Sequence, residues 1–177
     1  MTLIDILDKD IIDLEVEGTT KYEVLKNLSK RLLEAGYIKD VDGFISDIYA
    51  REAEGPTGMG NHISIPHGKS DNVNKIGIAI GRTKNMIKWE TGMSNDGFQD
   101  TNLIFLFCVS NNKDFAANHM MLLAELAGKL GNNSRIVQLQ YAKTKEEIID
   151  IFINEPTEFY EEDNVEDENF DIEIELL

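Results

Sequence analysis

The chain has 177 residues, with 33 acidic against 17 basic ones, a formal net charge of -16 and one cysteine, Cys108. That length suits one domain with a tail, and a lone cysteine excludes an internal disulfide framework. The charge is uneven: residues 1–154 hold 22 acidic and 17 basic residues, whereas 155–177 hold 11 acidic and none basic. Neither part offers the Lys/Arg stripe that a nucleic-acid backbone calls for, so no nucleic-acid partner is expected.

Residues 3–8 suit a short leading helix, and Ile11 to Val16 follow as an apolar segment of open type. The acidic start stands where a secretory signal would be basic, and no run of 18 apolar residues exists, so a cytoplasmic protein is expected. The spacing of Val24, Leu25, Leu28, Leu32 and Leu33 predicts a helix over 21–35. Thr20 and Glu23 form a capping box at its start, and Gly36 suits the left-handed position after its end. A second helix is predicted over 41–53, capped by Asp40, with Phe44, Ile45, Ile48 and Tyr49 facing inward. Three glycines and a proline in EGPTGMGN, residues 54–61, stop it.

Next comes the short apolar stretch HISI, after which Pro66 holds Ile65 extended. Strands are predicted over 76–81, 86–90 and 103–109. The last, LIFLFCV, is apolar without alternation, as in a central strand covered on both faces, and Cys108 reads as a core residue within it. Leu122, Leu123, Leu126 and Leu130 predict a helix over 114–130, capped by Asp114 or Asn112 and ended at Gly131. Residues 135–140 read as a further strand, and Thr144 with Glu147 opens a helix that runs to Ile153. Strands separated by helices point to one α/β sandwich around a mixed sheet, over 1–154.

The chain has three histidines: His62, His67 and His119. His67, between Pro66 and Gly68, sits at a rigid strand end with little crowding from its neighbour. A neutral imidazole there is a nucleophile able to form a phosphoramidate, and an ordinary exposed turn histidine is the alternative. His119 lies near the start of an amphipathic helix, either as a hydrogen-bonded partly buried residue or as a neighbour steadying charge on His67. Arg51 ends the second helix just before the glycine-rich loop, and a guanidinium forks naturally onto phosphoryl oxygens. That loop lacks the GK[ST] ending of a P-loop and follows a helix rather than a strand, so it is no dinucleotide fingerprint either. Its physical use is read as close approach of backbone amides to an anion. His62, His67, His119 and Cys108 match no strong zinc spacing, so no metal is expected.

The segment from Arg51 to Gly68, REAEGPTGMGNHISIPHG, resembles the phosphorylation-site region of the fructose/mannitol-type (type 2) enzyme IIA family of the bacterial sugar phosphotransferase system. The resemblance runs over roughly residues 2–153 and includes Trp89, LIFLFCV, the HMMLLAELAGKL helix and the closing TKEEIIDIF helix. It implies a phosphotransferase component with His67 phosphorylated, His119 as the second active-site histidine and Arg51 as the active-site arginine. Thr57 and Asn61 are implied to line the phosphoryl pocket, and His62, in place of the usual glycine, is expected to narrow it or to add a third ionisable group there. The family takes its phosphoryl group from HPr and hands it to a cysteine of enzyme IIB, which serves the membrane component IIC, with no cofactor. Cys108 is not expected to be that cysteine. The substrate branch leans to fructose, with a nitrogen-regulatory enzyme IIA acting by protein binding as the alternative. His62 and Ser64 depart from the usual glycine and alanine.

The acidic segment 155–177 lies beyond the resemblance. Phe170, Ile172, Ile174 and Leu176 alternate with acidic residues, the pattern of a half-buried strand. Such a strand suits an exposed sheet edge of this domain or of a second copy, giving a homodimer, and a disordered acidic terminus is the alternative.

Overall fold

A computed structural model of the chain describes residues 1–112 and 116–156. The run 103–109 occupies the middle of a five-stranded sheet, and each of its seven residues is buried. It belongs to β5 (Phe98–Ser110), which pairs antiparallel with β4 (Gly77–Glu90). On the far side of β4 lies β1 (Ile12–Val16), parallel to it, entered by a 3-10 turn over Lys9–Ile11. On the far side of β5 lie two short parallel pieces, β2 (Ile63–Ser64) and β3 (His67–Ser70). Ile63 pairs with Leu103 and His67 with Phe107, so both pieces keep one register. They are one edge strand interrupted at Ile65-Pro66, where proline removes a backbone donor. The Pro66 carbonyl still accepts from the Phe107 amide at 3.0 Å.

Strand alternation divides the core in two. Leu103, Phe105, Phe107 and Val109 pack on one face with α1 (Leu3–Ile6), α4 (Ala116–Leu130), α5 (Asn133–Tyr141) and α6 (Lys145–Ile153). Ile104, Leu106 and Cys108 pack on the other with α2 (Lys21–Glu34) and α3 (Val41–Glu52). This is the expected α/β sandwich with a central mixed sheet. Each fully buried Leu, Ile or Phe side chain contributes about 1.5–3 kcal/mol, which makes β5 the largest source of stability in the sheet.

The helix ends follow local chemistry. Thr20, Asp40 and Thr144 cap α2, α3 and α6 by accepting from the amides of Glu23, Gly43 and Glu147. Glu23 and Glu147 reach back one residue further than a capping box requires, to the amides of Thr19 and Lys143. Gly36 takes φ +83° after α2, with the Tyr37 amide on the Leu32 carbonyl and the Gly36 amide on that of Leu33.

The structure corrects several sequence expectations. Residues 135–140 are helical, within α5: Asn132 caps the Arg135 amide at 2.9 Å, and Ile136 and Leu139 reach the core three residues apart. The β-branched pair Ile136-Val137 imitated a strand. The strands expected at 76–81 and 86–90 are one, bulged between Arg82 and Ile87. Leu33 and Tyr49 sit at the rim of their helices, 40% and 37% exposed, because the apolar stripes of α2 and α3 are narrower than their apolar residues. The Asp114 cap and the alternating segment Phe170 to Leu176 lie outside the described residues. No described helix is long and apolar enough to cross a membrane.

Candidate active site

His67 opens β3, and alternation along the edge strand turns it to the same face as Phe107, its partner on β5. The next residue turns to the opposite face, where the Phe44 ring of α3 lies against Gly68. Glycine is required there because a Cβ would overlap that ring. Two backbone bonds hold the approach to His67: Ile65 N–H to the Thr57 carbonyl at 3.0 Å, and Phe107 N–H to the Pro66 carbonyl.

His119 is delivered from α4. Leu122, Leu126 and Leu130 are buried along one stripe, and His119 precedes Leu122 by three residues on the same stripe. Its ring meets His67 edge to face, with centroids 5.3 Å apart at 79°. Phe107 completes the cluster, stacked on His67 at 5.6 Å and edge-on to His119 at 5.7 Å. The Nδ1 of His67 and the Nε2 of His119 are both buried with no hydrogen-bond partner among the described residues. A buried unpaired nitrogen is unusual enough to mark a functional position.

The electrostatics favour neutral rings. Burial, the neighbouring His119 and the Arg51 guanidinium push the His67 pKa down to about 4, against an opposing contribution from the Ile65 backbone. His119 is lowered by burial first, then by Lys69 and Arg51. At neutral pH His67 therefore keeps a nucleophilic lone pair. The positive field that disfavours its proton would welcome a phosphoryl dianion. Arg51, in the last turn of α3, anchors one arm of its fork on the Gly55 carbonyl, Nη1 to O 3.0 Å. Lys69 is exposed two residues beyond His67 on the same face of β3.

The structure brings His67, His119 and Arg51 together, and leaves the other three sequence candidates elsewhere. The Thr57 side chain is buried and committed to Glu52 and Trp89. Asn61 is exposed in a tight turn and borders a cleft of about 160 Å³ against Ala127 and Leu130, about two and three turns of α4 past His119. His62 donates through Nδ1–H to the Asp100 carbonyl, 2.8 Å away. Ile63 already pairs four residues before Phe107 on β5, about 13 Å along the strand, and His62 lies beyond it. The glycine-rich loop holds no anion cradle: the amides of Gly58, Met59 and Gly60 donate to Glu90, Ile63 and Gln99. Gly58 is needed instead for packing, since a Cβ there would lie 2.7 Å from the Glu90 carbonyl oxygen. Phe107 and Lys69 were not legible as site residues, because their place beside His67 follows from strand register and face.

Residues 5–155 match the family model for the phosphoenolpyruvate-dependent sugar phosphotransferase system, EIIA 2. The chain belongs to this enzyme IIA family. It is 31% identical over 151 residues to the fructose-specific EIIABC component of Bacillus subtilis, which covers 85% of the chain and 23% of that relative. It is 30% identical over 138 residues to the fructose-like EIIA component of Escherichia coli, covering 78% of the chain and 89% of the relative. The chain thus spans less than a quarter of the first relative and most of the second. Among solved structures, the nitrogen regulatory protein IIA-Ntr of Neisseria meningitidis superposes with a TM-score of 0.73 at 27% identity, covering 85% of this enzyme IIA chain and 98% of that one. Membership makes the chain an EIIA-type component of a phosphotransferase system.

Proposed function

We propose that this enzyme IIA accepts a phosphoryl group from phosphorylated HPr on His67 and passes it to a cysteine of an enzyme IIB during sugar uptake. The observation that carries the reading is the buried His67, held neutral beside His119 and in the field of Arg51. Nδ1 is sealed in the interior, so attack falls to Nε2. The Nε2 lone pair takes the phosphorus in line as the donor's N–P bond breaks, and the donor imidazole leaves with the electron pair. A thiolate of enzyme IIB then attacks the same phosphorus, the S–P bond forming as the N–P bond to His67 breaks, and His67 leaves as neutral imidazole. His119, Arg51 and Lys69 stabilise the charge that gathers on the equatorial oxygens, and Phe107 keeps the two rings in place. Cys108 is buried and its pKa is pushed up to about 12 by that burial, which fits a core residue and not an acceptor.

Fructose is the favoured substrate branch, on likeness to the fructose-specific and fructose-like relatives. A nitrogen-regulatory role is the second reading, favoured by the superposition on IIA-Ntr. Residues 1–154 are read as the enzyme IIA domain. In support, Lys129 Nζ and Arg135 Nη2 fasten the end of α6 through the carbonyls of Phe152 and Asn154, at 2.8 and 3.2 Å. The remaining segment, 155–177, is an acidic appendage.

Incubation with phosphorylated HPr and mapping of the label by mass spectrometry tests the assignment. Label on His67, absent from His67→Ala, is expected. Undiminished labelling of His67→Ala would overturn it. Onward passage to enzyme IIB and sugar separates transport from regulation.

A further inference from the structure

Glu52 is the residue after Arg51, and the phosphoryl chemistry above does not use it. Its carboxylate is nearly buried, and so is the Lys21 ammonium it binds at 2.7 Å. The other carboxylate oxygen, Oε1, accepts from the Thr57 hydroxyl at 2.5 Å. That hydroxyl in turn accepts from the indole Nε1 of Trp89 at 3.0 Å. Lys21 also reaches Glu90 at 2.6 Å and lies 4.9 Å from the Trp89 ring centroid. Burial alone would lower the Lys21 pKa, but its bonds to Glu52 and Glu90 outweigh this and raise it.

A buried ion pair is weak as a source of stability, because removing both charges from water offsets much of their attraction. This one is placed where it ties two parts of the site. The hydroxyl of Thr57 holds Glu52, whose neighbour Arg51 is anchored on Gly55 in the same short loop. The carbonyl of Thr57 holds the amide of Ile65, two residues before His67. One residue therefore links the helix end that carries Arg51 to the strand that carries His67. Trp89 and Lys21 fix that residue and its carboxylate from behind.

We infer that Thr57 and Glu52 are positioning residues that set Arg51 against His67 for phosphoryl transfer, Thr57 acting through its hydroxyl and not as a pocket contact. The inference rests on the reading of His67 as the phosphoryl acceptor. Removing the hydroxyl leaves Glu52 Oε1 and Trp89 Nε1 without partners and slackens the loop 53–57. A misplacement of about 1 Å at a reacting centre lowers rate about a hundredfold.

The test is single-turnover transfer from phosphorylated HPr to the full chain, measured against donor concentration for wild type, Thr57→Val, Thr57→Ser and Glu52→Gln. For Thr57→Val the maximal rate should fall about ten- to a hundredfold, with the half-saturating donor concentration within about twofold of wild type. Thr57→Ser keeps the hydroxyl and should recover most of the rate. Glu52→Gln keeps an acceptor for Thr57 but loses the charge that holds Lys21, and its maximal rate should fall in the same way. If Thr57→Val does not fold, the Glu52→Gln rate decides. A folded Thr57→Val or Glu52→Gln with the wild-type maximal rate overturns the inference, and so does Thr57→Ser as slow as Thr57→Val. A change confined to half-saturation also overturns it. In each of these cases wild type still carries label on His67. Wild type without label on His67 overturns the underlying reading together with this one.

Discussion

Gly68 and Phe44 are in closer contact than any other side chain at position 68 would permit. A Cβ on Gly68 would lie 2.9 Å from Cδ1 of the ring, and nearer still to Cε1 and Cζ. The contact presses α3 onto β3, and so fixes Arg51, at the end of α3, relative to His67, at the start of β3. Phe44 is fully buried and has little room to yield. Gly68→Ala should therefore destabilise the protein by about 1–3 kcal/mol, as overpacking does. It should also slow phosphoryl acceptance beyond what the loss of folded protein explains. Urea denaturation combined with labelling of the folded fraction checks both. Unaltered stability would mean that α3 can move away from the sheet without loss.

The acid response of His67 is fixed in sign. Its pKa in the folded protein is about 4, below the ordinary 6.5, chiefly through burial. Between these values the unfolded chain binds a proton that the folded one does not, so stability falls as pH drops through this window. The full effect is about 3 kcal/mol, absent above about pH 7 and complete only below about pH 3. The lowering of His119 acts in the same direction. His67→Ala lacks the first contribution, so its stability should fall less than wild type between pH 7 and 4. Titration of the His67 ring protons by NMR should give a midpoint near 4. A midpoint near 6.5 would show that the ring is open to water.

Arg51 and His119 should affect rate more than stability. Arg51 is half-buried and, among the described residues, donates one hydrogen bond, to the Gly55 carbonyl. Loss of such a bond costs about 1 kcal/mol. Loss of a charge-stabilising donor at a transition state costs about 10²–10³ in rate. Arg51→Ala and His119→Ala should show that separation in transfer kinetics and thermal melting. Arg51→Lys keeps the charge but not the fork, and should fall between alanine and wild type. Wild-type rates in both alanine variants would place the phosphoryl group elsewhere.

What the sequence made legible was what depends on short spacing. The position of His119, three residues before Leu122, announced that it faces the core, and the unbroken apolar run 103–109 announced a strand covered on both faces. Arg51, at the end of a periodic segment and beside a glycine-rich stop, was placed correctly in the chain. What stayed hidden depends on register and on distant partners. Phe107 stacks on His67 because β3 and β5 pair in that register, which no local pattern encodes. Thr57 reads as a loop hydroxyl until Trp89, 32 residues away, is seen to donate to it. The glycines of the 54–61 loop suggested an anion cradle, but the structure uses Gly58 to admit Gln99 and the Glu90 backbone. Residues 135–140 misled through β-branched composition, which tertiary packing overrode.

The same limit explains His62, which stands where the family pattern has glycine. Gly60, Asn61 and His62 all adopt left-handed backbone, with φ of +77°, +53° and +63°. Glycine takes that conformation freely, whereas a residue with a Cβ is strained there by about 1–2 kcal/mol. His62 offsets the strain through its Nδ1 contact with the Asp100 carbonyl, a bond worth about 0.5–1.5 kcal/mol. His62→Ala keeps the strain and loses the bond, so it should lower stability by about 1 kcal/mol. His62→Gly loses the bond and the strain together, and should melt close to wild type and above His62→Ala. Because His62 lies along the edge strand from His67, both variants should accept phosphate at the wild-type rate. Calorimetry gives the order of melting temperatures, and single-turnover labelling gives the rates. His62→Gly melting below His62→Ala would show that the left-handed turn carries no strain, and a slowed rate in either variant would return His62 to the phosphoryl pocket.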